Sequence, residues 1–367
     1  MKQMIGLRIL SDIMEWKEDH ARREFAWLRL MSRMKYDGYR DFVAGVRFIE
    51  SLADWLQQFE QSERQAAYDF VRNHLVYIGP AEIQHVVEIF YAEHVQKRLL
   101  RVVAQDLSIQ TYRVWGNPDA ARRFKCLLRK CLFFGLSDGA RIETFRRTNA
   151  GIITNEQVLL ATEISKDKWK QLLEDLRENL KDKYARFAFA FLLDDFVGTG
   201  TTLLRNEDGV WKGRLPRFWD TVESFLDSHF EEKWVLGVHH YIATASASRA
   251  IGERNQLIAG SKGAEGWFKN VEFSYGTILP SNLQIDEEHC RDFMRLVAKY
   301  YSTSIQTKHT EKGGGPDVRL GFGQCALPLV LEHNTPNNSV ALLWADTDGS
   351  DGQHAMRPLF RRRQRHS

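Results

Sequence analysis

Cysteine is scarce in this chain, with only four in 367 residues. Cys126, Cys131, Cys290 and Cys325 lack CxxC spacing and the density of a disulfide scaffold, which excludes a small stapled secreted domain and fits buried thiols in a reducing compartment. Long apolar runs are missing too. The first residues, "MKQMIGLRILSDIMEW", are basic and then apolar, but acids and an aromatic interrupt them before any cleavage-like signal, and nothing approaches a membrane span. A soluble, cytoplasmic protein with no membrane partner is expected. Neither sign of charge dominates: 51 Lys and Arg against 48 Asp and Glu leave a net charge of +3, too little for a field that attracts nucleic acid or lipid. Arg361, Arg362, Arg363 and Arg365 gather positive charge at the C-terminus, which reads as a disordered solubilising end. Internal repeats and low-complexity segments are absent apart from Gly313–Gly315, read as a mobile loop.

What is present is ordinary globular composition, 43% hydrophobic and 27% charged, on a chain long enough for two domains at roughly 100–200 residues each. The expected division is a helical domain over 1–110, an α/β domain over 111–345 and a basic, flexible tail over 346–367. From Asp12 to Gln105 the apolar spacing is helical. "SERQAAYDFVRNHLVYI" opens with Ser62 and Gln65 at capping-box spacing, Gly79 ends that helix, and Pro80 suits the first turn of the next. The aromatic stripe Trp27, Phe42, Phe48, Trp55 and Phe59 reads as bundle core. After "WGNPDAARR" short apolar runs alternate with helical stretches: "CLLRKCLFFGL", "KWKQLLEDLRENL", "FAFAFLL", "FWDTVESFLDSHF", "KWVLGVHHYIATA", "VEFSYGTIL". That order predicts βαβ units and a mostly parallel sheet flanked by helices. The last runs, "LPLVLEHNTPNNSVALLW", read as a hairpin or an edge addition.

One stretch looks built for chemistry. In "FAFAFLLDDFVGTGTTLL" a strand buried on both faces, Arg186 to Leu193, runs into Asp194 and Asp195, and then into a loop of glycine and threonine. Ligands of parallel sheets sit outside the carboxyl ends of strands. Gly198 and Gly200 allow backbone angles that let N–H groups converge, and Thr201 and Thr202 are expected to begin a helix whose positive end favours an anion, most simply a phosphate. Carboxylates repel phosphate, so the same ligand must also offer hydroxyls or a bound cation. A ribose 5-phosphate meets both demands. The chain has no G-x-x-x-x-G-K-[ST], and Thr-Thr-Leu after Gly198-x-Gly200 breaks a dinucleotide fingerprint. Phe196 stands where an aspartyl-phosphatase would carry its second acid.

The run from Ala190 through Leu203 (four apolar residues, two aspartates, two apolar residues, then x-T-G-x-T and an apolar residue) resembles the phosphoribosyl-pyrophosphate loop of type I phosphoribosyltransferases. That resemblance implies that Asp194 and Asp195 bind the ribose hydroxyls, the second assisting as the sugar gains oxocarbenium character. It implies that Gly198, Thr199, Gly200, Thr201 and Thr202 hold the 5-phosphate. It also implies Mg²⁺ bridging pyrophosphate and ribose, held mostly by substrate oxygens and waters rather than by protein ligands. Family members hold pyrophosphate on an earlier loop, and "FFGLSDGARIETFRR" matches by position: Ser137, Asp138 and Gly139, with Arg141, Arg146 and Arg147 behind. An ordinary turn before a surface helix is the other reading of that segment. The whole chain is similar to the phosphoribosyltransferase-like effectors of bacterial conflict systems, including antiphage and retron-type loci, through "QFEQSERQAAYDFV", "GLSDGARI", the acid-pair loop and "HNTPNNS".

The implied function is an effector that binds phosphoribosyl pyrophosphate or a nucleotide with Mg²⁺ and acts at the ribose anomeric carbon in antiphage defence, with a defence-system protein as partner of its helical domain. The alternative is a catalytically inactive sensor that regulates a partner through that domain, and a third reading is a nucleic-acid-associated effector using the basic end. Other residues stay open. His239 and His240 are adjacent on a strand, so they face opposite sides and cannot chelate one metal. "YIATASASRAI" is a strand-to-helix connection or a second ligand loop. Asn334, Asn337 and Asn338 are turn formers or readers of a base edge. Lys308, Lys312 and Arg319 flank the glycine run as a lid would.

Overall fold

The computed structural model describes residues 2–40, 42, 47–261, 266–311, 315–350 and 352–362. In chain order the strands are β1 (Val76–Ile78), β2 (Cys131–Gly135), β3 (Val158–Leu159), β4 (Phe187–Val197), β5 (Arg205–Glu207), β6 (Val210–Lys212), β7 (Phe230–Thr244), β8 (Val271–Leu279) and β9 (Leu329–Leu331). Five of them form one sheet in the order β3-β2-β4-β7-β8, parallel throughout. Helices Ile142–Thr148, Lys166–Leu180, Arg214–Val222 and Ala245–Ala259 fall between successive strands of the sheet. The alternation read from the sequence is therefore an α/β fold with a parallel sheet. β2 is buried along its whole length and β4 over its first eight residues, which is why neither shows apolar–polar alternation. One face packs Leu132, Phe134, Leu192, Leu236 and Val238 against Trp169, Phe218 and Ile251 of the helices. On the other, Phe133 stacks on Phe191 at 5.3 Å.

The strand order carries a functional implication. From β2 the chain steps outward to β3, then crosses back to place β4 on the other side of β2. A reversal of this kind leaves a crevice outside the carboxyl ends of the two strands that flank it, here β2 and β4.

Two compact units make up the chain, Met1–Glu82 with Ser281–Ser367, and Ile83–Pro280. These limits differ from the expected 1–110, 111–345 and 346–367. Residues beyond Glu82 join the sheet unit because Phe90 packs on Phe145, Phe191 and His239. The other unit has N-terminal helices Lys2–Met14, Glu18–Met34, Phe48–Gln57 and Arg64–Asn73, as expected, but its core is completed by helix Glu287–Tyr300 and the chain after it. Phe48, Trp55 and Phe59 lie in that core, with Trp27 and Phe42 partly buried against it.

Four local expectations are corrected. The segment from residue 346 is no loose tail as far as it is described: Met356, Leu359 and Phe360 are buried, and Phe360 N donates to Leu343 O at 2.9 Å. Arg363 and Arg365 lie outside the described residues. "LPLVLEHNTPNNSVALLW" forms no hairpin; β9 pairs in parallel with β1, and Ala341–Trp344 is a short helix. The Ser62–Gln65 capping box is replaced by a 3-10 turn, Gln61–Glu63, with the helix starting at Arg64 and no side chain capping it. That helix ends at Asn73 rather than at Gly79, and β1 intervenes before Pro80 opens the next helix.

Candidate functional site

Residue pairing across β2 and β4 brings two loops together. Gly135, the last residue of β2, lies opposite Leu193, and Leu136 N donates to Leu193 O at 2.8 Å. The turn that follows therefore starts beside the aspartates. Ser137 Oγ donates to Asp194 Oδ1, and Gly139 N donates to Ser137 Oγ at 3.2 Å. A Cβ on Gly139 would stand 2.7 Å from Asp195 Cγ, so glycine is what lets the turn approach the second acid. The two segments singled out from the sequence, Ser137–Gly139 and Asp194–Thr202, thus border one another at the expected end of the sheet. Of the other residues in the first segment, Asp138 is exposed and Arg141 adopts a left-handed φ of 51° just before helix Ile142–Thr148. Arg146 is engaged by Glu143 at 2.7 Å.

The glycine–threonine loop departs from expectation at its exit. Thr201 and Thr202 begin no helix: a turn at 201–203 leads into a hairpin of β5 and β6. The cause is local. Leu203 and Leu204 are buried, and Asp208 and Gly209, both at positive φ, make the two-residue turn that hairpins favour. Gly200 holds a φ of +72°, and a Cβ there would lie 2.6 Å from Ile251 Cγ1. The loop's carbonyls are fixed from behind: Thr244 Oγ1 donates to Gly198 O at 2.7 Å, and Arg254 Nη1 to Thr199 O at 2.9 Å. In a trans peptide the C=O and the following N–H point opposite ways. The N–H groups of Thr199 and Gly200 consequently turn away from Thr244 and Arg254. Thr199 and Thr201 hydroxyls meet at 2.9 Å, and Thr202 is exposed. Thr201 N donates to Thr199 Oγ1 at 3.4 Å, so the groups this loop could turn to an anion are the amides of Thr199 and Gly200 and the paired hydroxyls.

Charge is concentrated at Asp194. Its carboxylate is buried, with a side chain only 5% exposed, and forms an ion pair with Arg214 through Oδ2. Oδ1 also accepts Asp195 N at 3.2 Å, while Asp195 Oδ1 accepts Phe196 N at 2.8 Å. Burial, then the neighbouring Asp195, push the Asp194 pKa up to about 7, against the pull of Arg214 and Ser137. Two carboxylates this close resist holding two negative charges. His240 lies opposite Asp194 on β7; burial lowers its pKa to about 3, so it is neutral. Its Nδ1 is buried without a hydrogen-bond partner. Tyr241, on the same strand, has its phenol pKa raised by burial and by both aspartates.

Arg214 was invisible to sequence reasoning because it stands twenty residues from Asp194, beyond the hairpin. The hairpin returns the chain to the loop: Arg214 N donates to Thr202 O and Leu215 N to Leu203 O, each at 3.0 Å. Arg254 and Thr244 were equally hidden, since their partners are backbone carbonyls.

The remaining candidates fall elsewhere or into structural roles. His239 Nδ1 pairs with Ser274 Oγ at 2.8 Å, and its ring packs on Phe90. "YIATASASRAI" is a strand-to-helix connection in which Thr244 caps helix Ala245–Ala259. Asn338 Nδ2 donates to Phe322 O at 2.9 Å, so its amide braces a turn, and the backbone carbonyl of Asn337 accepts Phe322 N at 2.6 Å. Arg319 pairs with Asp317 at 2.8 Å; Lys312 and Gly313–Gly314 lie outside the described residues. No helix among the described residues is long and apolar enough to cross a membrane.

A family model described as PRTase-CE matches residues 52–362. No curated protein matches the chain, and no solved structure does. With most of its length covered by that match, the chain belongs to the PRTase-CE family and is a phosphoribosyltransferase-like protein.

Proposed function

We propose that this PRTase-CE member binds phosphoribosyl pyrophosphate or a nucleotide, together with Mg²⁺, and makes or breaks a bond at the ribose anomeric carbon. The observation that carries the reading is the border between the Ser137–Gly139 turn and the Asp194–Asp195 pair, at the carboxyl ends of β2 and β4, where the strand order reverses. The 5-phosphate would sit on the amides and hydroxyls of Gly198, Thr199, Gly200, Thr201 and Thr202. The ribose hydroxyls would donate to the acids, and the pyrophosphate would lie along Ser137, Asp138, Gly139 and Arg141.

Among the described residues no cluster of three His, Cys, Asp or Glu side chains could chelate a cation. The donors at hand, two carboxylates beside hydroxyls, suit a Mg²⁺ carried in by substrate oxygens and waters. When bound, it supplies positive charge to the departing phosphate oxygens. The chain's own part is to orient the sugar and to place Asp195 where positive charge grows at the anomeric carbon. In transfer, the C1–O bond breaks with its electron pair leaving on pyrophosphate while an acceptor nitrogen bonds to C1. In nucleotide cleavage, the C1–N bond breaks and water supplies the new oxygen. The role we assign is antiphage defence, with a defence-system protein as partner of the N-terminal helices.

A second reading, a sensor without turnover, draws on Asp194: Ser137, Asp195 N and Arg214 already occupy its oxygens. Calorimetry with phosphoribosyl pyrophosphate and Mg²⁺ tests what the two readings share. Saturable binding, weakened at least roughly tenfold by Asp195→Asn, is expected, as for a lost charge-assisted hydrogen bond. No heat from the wild type would end both readings. Pyrophosphate release or nucleotide breakdown then separates enzyme from sensor.

A further inference from the structure

We propose that helices Lys97–Asp106 and Pro118–Arg129, with the turn between them, form a surface that binds single-stranded nucleic acid, Tyr112 and Trp115 stacking on unpaired bases while Arg and Lys side chains hold phosphates. None of the residues assigned to the sugar phosphate above takes part, so the two readings stand or fall separately.

The near-neutral total of the chain conceals a local excess. Residues 97–130 hold nine Lys and Arg against two Asp. Some of these cations are neutralised from elsewhere: Lys97 by Glu93, Arg98 by Glu272 and Lys130 by Glu231, with Glu156 3.8 Å from Arg129. The others face solvent. Arg101, Arg113 and Lys125 are exposed and make no ion pair among the described residues, while Arg122 and Arg123 share the single carboxylate of Asp119. Asp106 is the other acid of the segment. The two helices pack on one another, and the turn Thr111–Arg113 packs on the first of them, so these charges belong to one continuous part of the sheet unit.

Charge alone would mark only a solvated face. The second observation is aromatic. Tyr112 is 75% exposed and Trp115 52%, yet neither is loose. Tyr112 sits in a 3-10 turn, Val114 between the two rings is buried, and Trp115 packs edge-on against Phe124 at 4.8 Å. Phe124 is itself flanked in sequence by the exposed Arg123 and Lys125, and the Arg113 guanidinium lies 5.8 Å from the Tyr112 ring. Two rings are thus held in the open among cations, so that little ordering is left for the moment of binding. An unpaired nucleotide takes both features, since every base has a π-face and every linkage a negative charge. In a duplex the base faces already cover one another, and an acidic peptide would satisfy the cations while leaving the rings unused.

The test is fluorescence anisotropy on the full chain with labelled oligothymidine and oligouridine of about 20 nucleotides, longer than a usual single-strand site, each compared with a duplex of that length. A single strand should bind in preference to the duplex, its log affinity falling against log salt with a slope of about −2 to −3.5, as three to five phosphate contacts give; the tighter of the two strands tells DNA from RNA. Tyr112→Ala should weaken binding about tenfold with the slope kept, as for one lost stacking contact, and Tyr112→Phe should retain the affinity. Arg113→Gln combined with Lys125→Gln should reduce the slope by about 1.4. Cys126 provides a readout in the unaltered protein: it is exposed on helix Pro118–Arg129 while the other three cysteines are buried, so bound oligonucleotide should slow its alkylation. Duplex binding equal to single-strand binding and indifferent to Tyr112→Ala would overturn the assignment, as would equal competition by polyglutamate, an unprotected Cys126, or no binding at low salt. Binding kept in the patch variants but lost in a combined Arg361→Gln, Arg362→Gln, Arg363→Gln and Arg365→Gln variant would overturn it too. Protection of Cys126 needs no substitution, so it decides the matter if any variant fails to fold.

Discussion

Gly139 shows how one missing side chain can serve a neighbour. The atoms that its Cβ would strike belong to the Asp195 carboxylate, with Oδ1 at 3.1 Å. Since that carboxylate is the movable end of a side chain, Gly139→Ala should leave the unfolding free energy within about 1 kcal/mol of wild type, as typical substitutions do. Ligand binding should suffer much more, by roughly a hundredfold if the acid is displaced by an ångström. Urea unfolding alongside calorimetry separates the two outcomes; a large stability loss with affinity unchanged would refute the account. At this scale the sequence was informative about residue type and silent about partners. The paired aspartates and the spaced glycines can be read directly from "LLDDFVGTGTT". Arg214, Thr244 and Arg254 cannot, because a basic or hydroxyl residue looks the same in sequence whether it faces solvent or a carbonyl brought to it by the fold.

At the scale of elements, the hairpin after the loop is the chief surprise. "NEDGVW" carries an Asp-Gly turn signal, yet its flanks, Arg205–Glu207 and Val210–Lys212, lack the alternating apolar residues that would announce strands. βαβ grammar predicts a helix after Gly200, and it comes only after the hairpin, at Arg214–Val222. Gly213 makes the join: it sits at a φ of +131°, and a Cβ there would lie 2.7 Å from Leu203 C and 3.0 Å from Leu204 N. Backbone cannot step aside as a side chain can. Gly213→Ala should cost about 1–3 kcal/mol, the usual range for a strained residue, measured as a lowered urea midpoint with an unchanged slope. A neutral result would mean that the hairpin relaxes freely. The buried strands β2, β4 and β7 were legible because continuous apolar runs of strand length leave few alternatives.

For the molecule as a whole, nothing in the order of residues announces that the last part packs with the first. Arginines around Leu359 and Phe360 mask two core residues in a segment whose composition reads as solvated. Burial there depends on partners about three hundred residues away: Phe360 stacks on Phe48 and Phe42, each at 5.7 Å, and Ser51 Oγ donates to Leu359 O at 2.7 Å. Phe360→Ala should destabilise this unit by about 3–5 kcal/mol, the range for deleting a buried aromatic. Deleting residues 346–367 should be at least as harmful. Thermal unfolding checks both, and a truncated chain as stable as the full one would show the strap to be dispensable. The same long range explains why the two compact units escaped a reading that moves from one end to the other.

The contacts of Thr244 and Arg254 behind the glycine–threonine loop have one more consequence. Because those bonds hold the peptide planes before anything arrives, the arriving molecule need not freeze a wandering segment, and the entropic penalty of capture falls mainly on the visitor. Capture should therefore be quick and nearly free of slow rearrangement at this rim of the sheet.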